Sequence, residues 1–201
     1  MRRRPLSLLA SLVVLLVVGC NQAPPDDYSR ALFEARAAKD DMLRTSAGSP
    51  VPRDRRRVIL PLSYFPADPA YRVPAALEPD PQTGRAIQML TSTGQQRATQ
   101  VMGVLRFVLN GQQLKLEAFA EEGSNGERLF VPFTDVTSGH ETYGAGRYLD
   151  LDRTATGIYV VDFNTAYNPY CAYNPTYDCP VPPKENRLPV AIRAGEKAPR
   201  K

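Results

Sequence analysis

The chain has 201 residues, 43% of them hydrophobic and 23% charged, which suits one packed domain and excludes wholesale disorder. There is a single His and no Trp, so a site built from several histidines is excluded. The formal charge is +4, but Arg2, Arg3 and Arg4 lie in a segment that reads as a cleaved leader. Without them 22 basic residues face 21 acidic ones, leaving no surplus positive charge to drive nucleic-acid binding.

Met1 to Arg4 form a positive start, Leu6 to Val18 is almost unbroken in hydrophobicity, and Gly19-Cys20 follows. About a dozen apolar residues are too few for a membrane span and read as a signal peptide over residues 1–19. Val17-Val18-Gly19-Cys20 resembles the lipobox of bacterial lipoproteins, in which the cysteine is acylated and becomes the first residue. The sequence thus predicts an exported protein with palmitate-type chains at Cys20, its membrane partner being the lipid bilayer. Asn21 after the cysteine points to the outer membrane, on its periplasmic side, where a cell has two membranes. Residues 20–27 then form a short tether.

Asp26 or Asp27 can cap a helix over residues 28–47, with Gly48 as its stop. Tyr28, Leu32, Ala35, Met42 and Leu43 give it a patchy apolar stripe, with Arg36, Lys39 and Asp40 mostly off that stripe. Arg53 to Arg57 read as a solvated basic loop. Prolines divide the remainder: ten lie between Pro24 and Pro81 and seven between Pro169 and Pro199, but only Pro132 between Gly84 and Asn168. Because proline cannot donate to a ladder, this pattern predicts a sheet flanked by irregular covering segments.

Strand-type runs follow in order: 71–77, 86–92, 102–110, 112–121, 128–135, 142–152, 157–164 and 188–194. Asn110-Gly111 is a strong hairpin signal, since a type I′ turn needs positive φ at both central residues. A two-residue loop there pairs Phe107 with Leu114 and Leu105 with Leu116. The fold class predicted is mainly β: one antiparallel barrel-like or sandwich domain over 48–201, about eight strands, one N-terminal helix and a Pro-rich C-terminal cover.

Three polar and aromatic blocks follow. One runs from Phe133-Thr134-Asp135 to Arg147-Tyr148-Leu149-Asp150, and another from Asp162-Phe163-Asn164 to Cys171-Ala172-Tyr173-Asn174. The third runs from Cys179-Pro180 to Asn186-Arg187-Leu188 and ends near Ala194-Gly195-Glu196-Lys197. Together with Tyr64-Phe65-Pro66 they resemble the bacterial domain of unknown function 1684 family over most of the mature chain. The resemblance implies a single uncharacterised domain, found both in lipoproteins and in members without export signals, and it supplies no reaction. Members often carry His at the position of Asn168 and other residues at that of His140, which speaks against a metal site through those positions.

Alternation puts Asp162 and Asn164 on one strand face with Ile158 and Val160. A carboxylate among apolar neighbours needs a partner, and Arg147, with its planar fork, is the candidate. Two readings stay open: an internal Asp162–Arg147 pair, or Arg147 presented to an anionic ligand framed by Tyr143, Tyr148 and Tyr167. The expected site is a polar, tyrosine-rich pocket for a small or envelope-derived ligand, formed by Arg147, Tyr143, Tyr148, Asp162, Asn164, Tyr167 and Asn168. The alternatives are an enzyme, for example a hydrolase, with Glu141 or Asp162 as general base, and a purely structural envelope lipoprotein. Glu141 begins a strand beside a turn and would need a raised pKa for that role. Cys171 and Cys179 are open to a disulfide, favoured by an exported compartment, to packed thiols or to metal ligation. No cofactor and no metal site is predicted, because the spacing matches no closed four-ligand pattern.

Overall fold

The computed structural model describes residues 27–121, 124 and 126–201. The leader, Cys20 and the tether to Asp26 lie outside the described residues. Helix α1 (Asp27–Thr45) leads to a one-turn helix α2 (Arg56–Ile59). Seven strands follow: β1 (Arg72–Glu78), β2 (Ala86–Leu90), β3 (Gln96–Leu109), β4 (Gln112–Glu121), β5 (Arg128–Phe133), β6 (Arg147–Asp152) and β7 (Ile158–Asp162). They form one antiparallel sheet in the order β6-β5-β4-β3-β1-β7, with β2 paired to the first half of β3. The sheet curls into a nearly closed barrel. Its open seam is bridged by Tyr148 of β6 and Tyr167 beyond β7, whose N–H groups donate to each other's carbonyls at 2.9 and 3.0 Å.

The hairpin is as its turn dictates. Asn110 and Gly111 have φ of 49° and 77°, and Leu105 faces Leu116 while Phe107 faces Leu114. All four side chains are buried, each contributing roughly 1.5–3 kcal/mol by leaving water. They join Leu129, Val131, Leu149, Val161 and Phe163 in the barrel core, where Phe133 and Phe163 meet edge to face at 5.3 Å. A smaller cluster of Leu43, Val51, Ile59, Leu60, Leu62 and Tyr173 ties the end of α1 to the C-terminal cover.

Strands β4 and β5 pair only at Phe119 and Phe130. Asn186 fills the splay between them. Its Nδ2 donates to the carbonyls of Glu117 (2.9 Å) and Pro132 (2.7 Å), and its Oδ1 accepts the Glu117 N–H at 2.7 Å. A fully buried amide thus replaces a missing stretch of ladder.

Three expectations are corrected. Among the described residues there are seven strands where about eight were expected: residues 188–194 are irregular, because the backbone groups at Ile192 and Ala194 bond to side chains. The Ile192 N–H donates to Asp135 Oδ1 at 3.1 Å, and the carbonyls of Ile192 and Ala194 accept from Arg147. The strand expected over 142–152 begins only at Arg147, after a turn that ends at Gly146 with φ 95°. A Cβ on Gly146 would lie 2.5 Å from the Phe133 carbonyl. Finally, α1 docks less through its apolar stripe than through polar groups. Leu32 and Leu43 are buried, Met42 is exposed, and Arg36, Lys39 and Asp40 make the contacts.

Candidate functional site

Two polar assemblies stand out, one sealed inside the fold and one open to solvent. The sealed one centres on Arg147, the first residue of β6, which is 0% exposed. Its Nη2 donates to Asp135 Oδ2 (3.0 Å) and the Ile192 carbonyl (2.8 Å), and its Nη1 to the carbonyls of Ala194 and Glu196. The guanidinium also lies 5.3 Å from the Phe133 ring centre. Burial pulls its pKa below the ordinary value, and the Asp135 carboxylate opposes that shift. Asp135, on the turn after β5, also accepts the N–H and hydroxyl of Thr137 at 2.8 and 2.7 Å. The Asp162–Arg147 pair expected from alternation is therefore replaced by Asp135–Arg147, and the side chain expected to meet a ligand is enclosed by the chain's own acceptors.

Beside it sits Glu196, 1% exposed, which accepts from Lys39 Nζ (2.6 Å), Tyr173 OH (2.7 Å) and the Asn168 N–H (2.8 Å). The turn before it depends on Gly195 at φ 75°, where a Cβ would meet the carbonyls of Ala166 and Phe163 at 2.6 and 2.7 Å. From α1, the Arg36 guanidinium reaches the carbonyls of Phe65 and Asn164, each at 3.1 Å, and stacks 4.5 Å from the Tyr64 ring centre. This network joins helix, barrel and C-terminal segment.

The other expected site residues separate. Asp162 points outward from β7 on the face shared with the exposed Ile158 and Val160, so its neighbours are not a buried apolar surface. It accepts from Tyr28 OH (2.7 Å) and lies 3.7 Å from Arg72 Nε. Burial and the Asp162 carboxylate push the Tyr28 phenol above its usual range. Asn164 is buried and clamps Asp68 through both side-chain ends. Asn168 donates to the Lys197 carbonyl at 2.8 Å. Tyr143 lies 3.9 Å from Cys171 Sγ, its phenol pushed up to about 12 by burial. Glu141 forms a two-point contact with Arg193 Nε at 2.9 and 3.1 Å, which lowers its pKa, the direction opposite to that needed by a general base at neutral pH. Cys171 and Cys179 are both thiols, and the Cys171 N–H points at Cys179 Sγ from 3.1 Å. Burial pushes the Cys179 thiol up to about 12. Among the described residues, no group of three or more His, Cys, Asp or Glu side chains is placed to hold a metal ion.

The open assembly is a cleft of about 740 Å³ on the outer face of the barrel, within the usual range for small-molecule sites. One wall comes from β5 and β6 with Tyr167, and the other from residues 169–180 of the cover. Tyr148 and Tyr167 are the two expected ligand residues that line it; Phe130, Asp150, Tyr170, Tyr177, Arg97 and Arg128 also line it, and sequence reading does not single them out. Tyr148 stands edge-on to Phe130 at 4.8 Å and to Tyr167 at 5.7 Å, and Tyr170 edge-on to Tyr177 at 5.4 Å. Tyr148 OH donates to the Pro180 carbonyl and Tyr167 OH to Asp150 Oδ2 at 3.0 Å. Burial raises both phenol pKa values, so the rings stay neutral hydrogen-bonding aromatics. The cover is fixed to the end of β2: the Ser92 N–H donates to the Cys179 carbonyl and the Val181 N–H to the Leu90 carbonyl, each at 2.8 Å. The available signal was outward alternation in β6, which turns Asp150 away from the core.

Fold and cleft define a class: a nearly closed antiparallel β-barrel with a docked N-terminal helix and an aromatic cleft on its outer face. Residues 60–197 match the family described as "Protein of unknown function (DUF1684)", and the chain belongs to that family. It is also similar to an uncharacterised protein of Haloarcula marismortui whose solution NMR structure is known. The two share 36% identity with a TM-score of 0.67 over 85% of this chain and 94% of that one. No curated protein matches the chain. Among the described residues no helix is long and apolar enough to cross a membrane.

Proposed function

We propose that this protein is a membrane-anchored lipoprotein that binds a small or envelope-derived ligand in the cleft between Tyr148–Tyr167 and Tyr170–Tyr177. The observation that carries the reading is the cleft itself: four tyrosines and Phe130 around about 740 Å³, rimmed by charged side chains. Tyr170 keeps 47% of its surface in water at that rim, where a ligand would cover it. Purified from its own cells, the protein is expected to carry an added mass in native mass spectrometry. Tyr170→Ala lowers the occupied fraction, with affinity falling about tenfold for one lost aromatic contact. A wholly ligand-free mass in every preparation sinks the reading.

Anchoring rests on the leader and Cys20, and the redox state of Cys171 and Cys179 on the exported compartment that the leader implies. One intact-mass measurement tests both. The wild-type protein is expected to carry acyl chains, and oxidation in the exported compartment is expected to join the two neighbouring thiols, with the loss of two hydrogens. Cys20→Ser removes the acyl mass and releases the protein from the membrane fraction. An unchanged membrane fraction refutes the anchor, and two alkylatable thiols without reductant refute the disulfide.

The enzymatic alternative has less support. Glu141 is paired with Arg193, Asp162 with Tyr28 and Arg72, and neither carboxylate lines the cleft.

A further inference from the structure

We infer that the cleft selects an organic cation, such as an amine or a quaternary ammonium group; this rests on the binding function proposed above. Its lining holds four carboxylates, Glu121, Glu127, Asp150 and Asp178, against two guanidiniums, Arg97 and Arg128. Arg128 is already matched by Asp152, outside the lining, at 3.1 Å. Arg97 donates to the Asp178 carbonyl at 3.3 Å and keeps its charge, which offsets one carboxylate and leaves the others in excess. The remaining field in the cleft is negative.

The aromatic rings reinforce that sign. A ring face carries negative quadrupole density and attracts a cation within about 6 Å, best for a weakly hydrated organic one. The Tyr148–Tyr167 pair meets at 89° and the Tyr170–Tyr177 pair at 77°, so each corner presents a face in one direction and an edge in another. Both corners line the same cleft, so a group bound there has ring faces of two tyrosine pairs around it. The protein already uses this chemistry next door, with the Lys39 ammonium 5.0 Å from the Tyr167 ring centre. That leaves the Tyr170–Tyr177 corner and Asp150 as the anchor for an outside cation. An anion would face the acidic rim, and a neutral sugar could donate hydroxyl hydrogen bonds to it but would gain no net charge attraction.

Choline, its uncharged isostere 3,3-dimethylbutan-1-ol and the neutral disaccharide chitobiose separate the cases when titrated into the full folded domain by NMR. Choline is expected to shift the ring signals of Tyr148, Tyr170 and Tyr177 and to bind about tenfold more tightly than the isostere. Asp150→Asn, an exposed position whose amide keeps the acceptor for Tyr167, is expected to weaken choline about fivefold and to leave the isostere unchanged. Equal affinity for choline and isostere, or tighter binding of chitobiose with the same rings shifted, overturns cation selection and leaves the cleft as a binding site. No ring shift with any probe overturns cation selection, while the native mass experiment still decides separately whether the cleft holds a ligand.

Discussion

Arg147→Met is expected to lower the unfolding free energy by about 3–5 kcal/mol, the range for removing one partner of a buried ion pair. Methionine matches much of the arginine's volume, so the loss reflects polarity and not a large cavity. Asp135 would keep its hydrogen bonds from Thr137 and Ile192 but lose the guanidinium hydrogen-bonded to it, with a side chain that is 0% exposed. Three carbonyls, of Ile192, Ala194 and Glu196, would lose their donor in the same step. Arg147→Lys is expected to recover little, because one ammonium cannot reach four acceptors spread around a planar fork. Replacing Asp135 as well does not restore stability, since the carbonyls stay unpaired. Urea unfolding followed by circular dichroism measures the effect. A variant within 1 kcal/mol of wild type would show that the guanidinium is not what holds β6 to the C-terminal segment.

The second large effect is Glu196→Ala, expected to remove about 2–5 kcal/mol. Two of its donors, Tyr173 OH and the Asn168 N–H, are buried and would be stranded. The third, Lys39, is 28% exposed at its side chain and can return to water, so its share is the smaller one. The variant also reads out how α1 is held. Among α1 side chains only Leu32 and Leu43 are buried, so polar contacts carry much of the docking. Hydrogen exchange in α1 is expected to rise more than in β3 or β4. Unchanged protection across α1 would show that Arg36, Asp40 and the two leucines suffice without Glu196.

Local rules succeed where neighbours in sequence are neighbours in space. Asn110-Gly111 fixes a turn, the turn fixes a register, and the register puts Leu105, Phe107, Leu114 and Leu116 on one face. The same rules misplace residues 188–194, whose apolar composition suits a strand. The backbone groups at Ile192 and Ala194 are captured by Arg147 and Asp135, residues about fifty positions earlier, and no local propensity contains that competition. The site divides in the same way. Clustering of tyrosine and polar residues was visible, and Tyr148 and Tyr167 do line the cleft. Which arginine meets which carboxylate was not visible. Alternation within one strand gives a side chain's face, but not what crosses over that face from elsewhere.

By itself, then, the sequence determines an antiparallel β domain preceded by a helix, the register of its central hairpin, and the proline-rich segments that leave the sheet. Those features follow from φ restrictions, missing N–H donors and two-residue alternation, all of which act over a few residues. Only the tertiary structure decides that Arg147 is enclosed with Asp135, that Glu196 receives Lys39, and that Tyr148, Tyr167, Tyr170 and Tyr177 surround one hollow. Those outcomes depend on how the barrel closes and where the C-terminal segment lies across it. Closure is settled by the burial of the whole core and by the partners that Asp135, Arg147 and Glu196 find once they are carried inside with it.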